Sequence, residues 1–129
     1  SYILRDFDLD GLNQRKAKIE EITKTLQQKY GEDRIIVEIK DSYYNMKEKI
    51  EPVMYIIDLA KKAMKDADIE PKIVPIRGGT DGARISYMGI PTPNLFTGGY
   101  NFHGYYEYAV AEEMEKAKEV IINIVKNNK

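Results

Sequence analysis

Apolar and polar positions alternate through residues 3–7, with Ile3, Arg5 and Phe7 on one face and Tyr2, Leu4 and Asp6 on the other. A period of two predicts a strand. The spacing then changes. Through "LNQRKAKIEEITKTLQQKYG", Leu12, Ile19, Ile22 and Leu26 fall on one stripe of a helix whose other faces carry Lys, Glu and Gln. Asp8 or Asp10 can cap its start, and Gly31 supplies the stop signal. "RIIVEIK" alternates again, gathering Ile35, Val37 and Ile39. Strand, helix, strand with one wet helix face predicts half of an open-faced sandwich.

A second helix starts at Pro52, a residue suited to a first turn because its missing N–H costs nothing there. Val53, Ile56, Ile57, Ala60, Ala63, Met64 and Ala67 keep three-and-four spacing until "DIEP" ends it. "KIVPI" predicts a short strand, "ARISYMG" a short helix and "PNLFTGG" a buried strand. Residues 110–125 predict a last helix on Met114, Ala117, Ile121, Ile124 and Val125. No repeat or low-complexity tract interrupts this order. The shift near "DSYYNMKEK" marks a boundary, with β–α–β before it and α–β–α–β–α after it.

Composition narrows the function classes. Hydrophobic residues make up 43% and charged residues 32%, as in ordinary globular chains. Twenty basic against 21 acidic residues leave a net charge of −1, which removes the electrostatic footprint of a nucleic-acid binder. Apolar runs such as "YII" and "VII" are too short for a bilayer, and "SYILRDFD" is not a signal peptide. A cytoplasmic protein is expected. With 0 cysteines, disulfides and thiolate ligands are excluded. The chain opens inside a predicted strand and without methionine, which reads as a cut fragment.

Chemistry concentrates in "IRGGTDGARISYMGIPTPNLFTGGYNFHG", residues 76–104, which holds seven of the nine glycines and the one histidine. His103 sits in "GGYNFHG", just past a predicted strand, where ligand sites of α/β sheets gather. A lone histidine is more often structural, and a catalytic zinc takes about three protein ligands. His103 can therefore be one wall of a metal site but not the site. Arg77 stands at the mouth of a loop formed by Gly78 and Gly79, suited to gripping a carboxylate or, equally, to lying exposed on a turn. Thr80 and Asp81 read as groups that fix this loop. Arg5, on the same strand face as Ile3 and Phe7, either snorkels at an edge or points at a ligand. Walker, G-x-G-x-x-G and G-x-S-x-G patterns are absent. The tyrosines (10, against 3 phenylalanines) cluster at "SYYN" and "GYYEY", suiting a polar cleft or an interface.

Taken together, "DSYYNM", "PIRGGTDGARISYMGIPTPNLFTGGYNFHG" and "EEMEKA" closely resemble the tripeptide aminopeptidase branch of the large di-zinc metallopeptidase family. Aminoacylase-like and succinyl-diaminopimelate desuccinylase-like enzymes belong to the same family. The likeness covers the whole chain and only the C-terminal part of such an enzyme. It implies an α/β fold: residues 1–45 as the β–α–β half of a ferredoxin-like lid or dimerisation domain, then residues 46–129 as the C-terminal part of an α/β/α zinc-peptidase catalytic domain. His103 falls on the family's last zinc ligand. Arg77 matches an arginine near the substrate's C-terminal carboxylate, Arg5 a lid arginine facing the cleft, and Glu107 a glutamate that supports the ligand histidine. The remaining ligands of the two zinc ions, the glutamate general base and a lid histidine offered by a partner subunit all precede this region. The resemblance thus implies a homodimeric, full-length tripeptide hydrolase with no nucleic-acid or membrane partner, and an inactive isolated chain. Phe102, Tyr105 and Tyr106 depart from the branch, which usually has tyrosine before the histidine and a basic or histidine-containing pair after the next glycine. A non-catalytic module for small-anion binding or dimerisation is the alternative.

Overall fold

The computed structural model describes residues 1–76 and 78–128. In chain order its elements are α1 (Leu9–Tyr30), α2 (Lys47–Ile50), α3 (Tyr55–Lys65), α4 (Asp81–Tyr87), β1 (Gly99–Tyr100), β2 (Tyr108–Ala109) and α5 (Ala111–Asn127). Single 3-10 turns at Glu32–Arg34 and Glu51–Val53 follow α1 and lead into α3. The result is mixed helix with one small antiparallel sheet, compatible with the α/β class. The chain resolves into two compact units: Ser1–Asn45 with Pro75–Thr80, and Met46–Val74 with Asp81–Lys129. No helix among the described residues is long and apolar enough to cross a membrane.

In the first unit α1 begins where an aspartate can satisfy a free backbone donor. Asp8 has extended backbone, φ −109° and ψ 136°, and its Oδ2 accepts the Gly11 N–H at 2.9 Å. Asp8, not Asp10, is therefore the cap. Gly31 ends the helix at φ 103°, its N–H donating to the Gln27 carbonyl at 2.8 Å. No residue of α1 is buried. Polar links tie the next segment to it: Gln27 Nε2 donates to the Ile35 carbonyl at 2.8 Å, and Lys16 pairs with Asp41 at 2.5 Å.

The predicted strands are where expectation and structure differ. Residues 3–7, 34–40 and 72–76 form no ladder, and of residues 93–99 only Gly99 is paired. Alternation prepares a face, but a strand also needs a neighbour to take its N–H and C=O groups. Without one the apolar side chains stay in water; Val37 and Ile39 are 45% and 37% exposed.

In the second unit the predicted helices form and pack. Pro52 sits in the 3-10 turn that enters α3. Ala63 and Ala67 are buried against Val120 of α5, with Met64, Ile69, Phe96 and Ile124 around them. Ala63 on α3 and Ala67 in the turn after it allow close approach, so side chains of α5 reach the backbone there. Asn123 Nδ2 donates to the Ala63 carbonyl at 3.4 Å, and Lys116 Nζ to the Ala67 carbonyl at 3.1 Å. The buried face of α5 is thus centred on Val120, rotated from the expected stripe; Met114, Ile121 and Val125 are exposed. A Schellman closure ends α3: the Ile69 N–H donates to the Met64 carbonyl at 2.9 Å and the Asp68 N–H to the Lys65 carbonyl at 3.0 Å. Asp68 takes the left-handed position at φ 58°.

The short helix predicted at "ARISYMG" is α4. Buried Ser86 donates its hydroxyl to the Gly82 carbonyl at 2.7 Å and accepts the Thr92 N–H at 2.9 Å. A Cβ on Gly82 would lie 2.6 Å from the Thr92 oxygen, so only glycine lets the following segment lie on the helix.

Candidate functional site

His103 stands on a hairpin whose base the sequence fixes tightly. Gly98 is buried with φ 80°, and a Cβ there would meet Glu113 Cβ and the Met114 nitrogen at 2.9 Å. Only glycine lets the chain turn against the first turn of α5. The Gly98 carbonyl then accepts the Val110 N–H at 2.9 Å. Beyond it β1 and β2 pair antiparallel, Gly99 opposite Ala109 and Tyr100 opposite Tyr108. The two tyrosine rings stack with centroids 5.1 Å apart and planes 14° from parallel.

Residues 101–107 form the loop. The Gly104 N–H donates to the Asn101 carbonyl at 2.8 Å and the Glu107 N–H to the Gly104 carbonyl at 3.2 Å, two turns in succession. Asn101 Nδ2 donates to the Tyr106 carbonyl at 3.3 Å. Asn101 and His103 both take left-handed backbone, φ 54° and 64°. Asparagine tolerates this readily; for histidine it costs about 1–2 kcal/mol. A charged acceptor offsets that strain: Glu107 Oε2 accepts the His103 backbone N–H at 2.8 Å. The imidazole is exposed and makes no hydrogen bond with the described residues. Strained backbone held by specific contacts is a frequent mark of functional loops.

Tyr100 and Glu113 complete the hairpin's seat. The phenol hydroxyl lies 2.8 Å from Glu113 Oε1 and 2.7 Å from Oε2. That hydrogen bond to a carboxylate, followed by desolvation, raises the Tyr100 pKa above its ordinary value of 10.0. The sequence reading missed this pair and Asn101. Tyr100 lies outside the tyrosine clusters at "SYYN" and "GYYEY", and thirteen positions of separation give no local signal that Glu113 would reach it.

Gly78 takes φ 108°, and a Cβ on Gly79 would lie 2.6 Å from Tyr43 Cε1, so that loop passes directly over a ring of "DSYYNM". Thr80 immediately precedes α4 and Asp81 is its first residue, a favourable place for an acid at a helix start. Arg5 is exposed, in a segment without a ladder. Arg77 lies outside the described residues.

As a metal centre the described residues are insufficient. Among them no group of three or more His, Cys, Asp or Glu could hold an ion. The hairpin presents one imidazole, and the nearby carboxylate of Glu107 is engaged by backbone. One nitrogen donor does not fill a zinc coordination sphere.

The proteins this chain is similar to are peptidases. They are named peptidase T. The chain is 62% identical to the peptidase T of Geobacillus sp. (strain WCH70) over 125 residues, which is 97% of this chain and 30% of that protein. It is 60% identical to the one from Bacillus licheniformis and 61% identical to the one from Clostridium perfringens, each over 126 residues, 98% of this chain and 31% of the relative. The chain thus spans about 30% of the length of the curated relatives it matches, and corresponds to a fragment of them. No family model matches the chain.

Proposed function

We propose that this chain is the C-terminal part of a zinc-dependent tripeptide aminopeptidase, an enzyme that hydrolyses the N-terminal residue from tripeptides. One observation carries the reading: 62% identity to a peptidase T across 97% of the chain. On this reading residues 1–45 are half of a ferredoxin-like lid and residues 46–129 the closing part of an α/β/α catalytic domain. His103 supplies one zinc ligand from its hairpin. Glu107 holds the backbone behind it, a role its 2.8 Å contact with the His103 N–H supports. Arg77 holds the carboxylate end of the peptide, and Arg5 is a substrate-binding arginine of the lid; a guanidinium grips a carboxylate in two parallel hydrogen bonds and so measures peptide length. Gly78, Gly79, Thr80 and Asp81 support the loop on this reading. The full-length enzyme is a cytoplasmic homodimer.

The isolated chain is inactive on this reading, because one imidazole cannot assemble the centre. In a longer protein containing this segment, His103→Ala should lower bound zinc, read by metal analysis, and reduce tripeptide turnover by about a hundredfold or more. Zinc-dependent tripeptide cleavage by the 129-residue chain itself would refute the proposal. If His103→Ala leaves zinc and turnover untouched while a small carboxylate still binds, the chain is instead a non-catalytic anion-binding or dimerisation module.

A further inference from the structure

The contact between Tyr100 and Glu113 lies at the base of the His103 hairpin. Its geometry asks for more. The phenol oxygen sits almost equally far from both carboxylate oxygens, 2.8 and 2.7 Å, so one proton serves a charged acceptor from either side. Such charge-assisted bonds are stronger and more directional than neutral ones. The same Tyr100 ring is stacked flat on Tyr108, the residue that closes the other strand. Glu113 belongs to the first turn of α5, the turn that Gly98 touches. Further along, α5 is fixed to α3 by fully buried Val120 against Ala63 and Ala67. A continuous path of contacts therefore runs from the buried core through Glu113 and Tyr100 to the loop bearing His103.

We propose that Tyr100 and Glu113 are positioning residues that clamp the His103 hairpin to α5 and set the direction of its imidazole. The clamp rests on the reading of His103 as a metal donor, since only then does its direction matter to chemistry. Neither residue touches substrate or metal. Both act on the hairpin at its base, where Glu113 holds the Tyr100 hydroxyl, while Glu107 holds the His103 backbone at its tip.

His103 is the one histidine of the chain, so its ring signals are unambiguous in NMR spectra of the 129-residue protein. Tyr100→Phe keeps the ring stack and removes the hydroxyl; Glu113→Ala removes the acceptor; Glu113→Gln keeps an oxygen acceptor without the charge. The clamp predicts that Tyr100→Phe and Glu113→Ala each shift both His103 ring-proton resonances. Each should also speed exchange of the His103 amide roughly tenfold. The double variant should show no more than either single one, Glu113→Gln should lie between, and amides around Val120 should keep their protection. Unchanged His103 signals in Tyr100→Phe, effects that simply add in the double variant, or an equal loss of protection around Val120 would each overturn the clamp. The metal reading fails separately, through a His103→Ala variant of the longer protein that keeps its zinc.

Discussion

Helices α1 and α5 make an informative pair. Both are long, both begin at a β-region residue, and both carry an apolar stripe at helical spacing amid Lys and Glu. Yet α5 buries Val120 completely, while α1 buries nothing. The stripe of α1 is sparser, and its Ile22 and Leu26 remain 45% and 37% exposed because nothing covers them fully. An amphipathic pattern states that a helix has a face to hide. Whether the face is hidden depends on a second element, and here α3 and the turn after it, with small Ala63 and Ala67, provide one for α5. Most helix stability comes from such packing rather than from propensity. The two units should therefore differ in what holds them: apolar contact in the second, polar links along α1 in the first.

The largest effect is expected at the hairpin base. Gly98→Ala forces a Cβ into the first turn of α5 at a backbone conformation, φ 80°, that alanine resists. Strain and overpacking together should destabilise the second unit by about 3 kcal/mol, read as a drop in denaturation midpoint and a loss of His103 hairpin signals. An unaffected midpoint would mean the hairpin does not rest on α5.

Next comes the direct comparison of the two stripes. Val120→Ala removes fully buried methyl groups and should cost about 2 kcal/mol. Ile22→Ala on α1, half in water already, should cost under about 1 kcal/mol. Equal losses in chemical denaturation would show that α1 has a cover the comparison denies it. A smaller change of opposite sign tests the end of α3. Asp68 holds a left-handed position, φ 58°, that glycine occupies without strain. Asp68→Gly should therefore stabilise by about 0.5 kcal/mol, visible as a slightly higher midpoint.

How far the chain can be read in advance follows the same division. Helices α1, α3, α4 and α5 were legible because their signals are local: Asp8 before the stripe, Pro52 at a first turn, Gly31 at a stop, three-and-four spacing between. The strands were not, since Ile3 and Phe7, like Val37 and Ile39, alternate correctly but pairing requires a neighbour that local pattern cannot name. Rotation of α5 was missed for a related reason. The widest apolar stripe pointed to Ile121 and Val125, whereas the fit between Val120 and two alanines decided the contact. At the candidate site the glycine-rich context singled out His103, and the family resemblance added Glu107. The left-handed turn that presents the ring, and the Tyr100–Glu113 seat beneath it, depend on a fold-back invisible in spacing.

The smallest effect concerns the polar links of the first unit. The Lys16 ammonium, and after it the Tyr44 hydroxyl, hold the Asp41 carboxyl below its ordinary value of 3.8. Hydrogen bonds from Arg15 and then from the Asp8 N–H do the same for Asp6. A carboxyl whose folded pKa lies below its unfolded one binds fewer protons when folded, so it contributes stability above the unfolded value. That contribution is lost as pH falls through the lowered folded value. These are exposed pairs, which contribute little individually and less in salt. Acidification from about pH 5 toward about pH 2 should therefore loosen the α1 unit gently and first, with amide protection along α1 falling while that around Val120 persists. Asp41→Asn should flatten part of this acid limb without changing stability around Val120. If instead both units lose protection together, polar links along α1 are not what distinguishes it from α5, and the contrast between the two helices lies elsewhere.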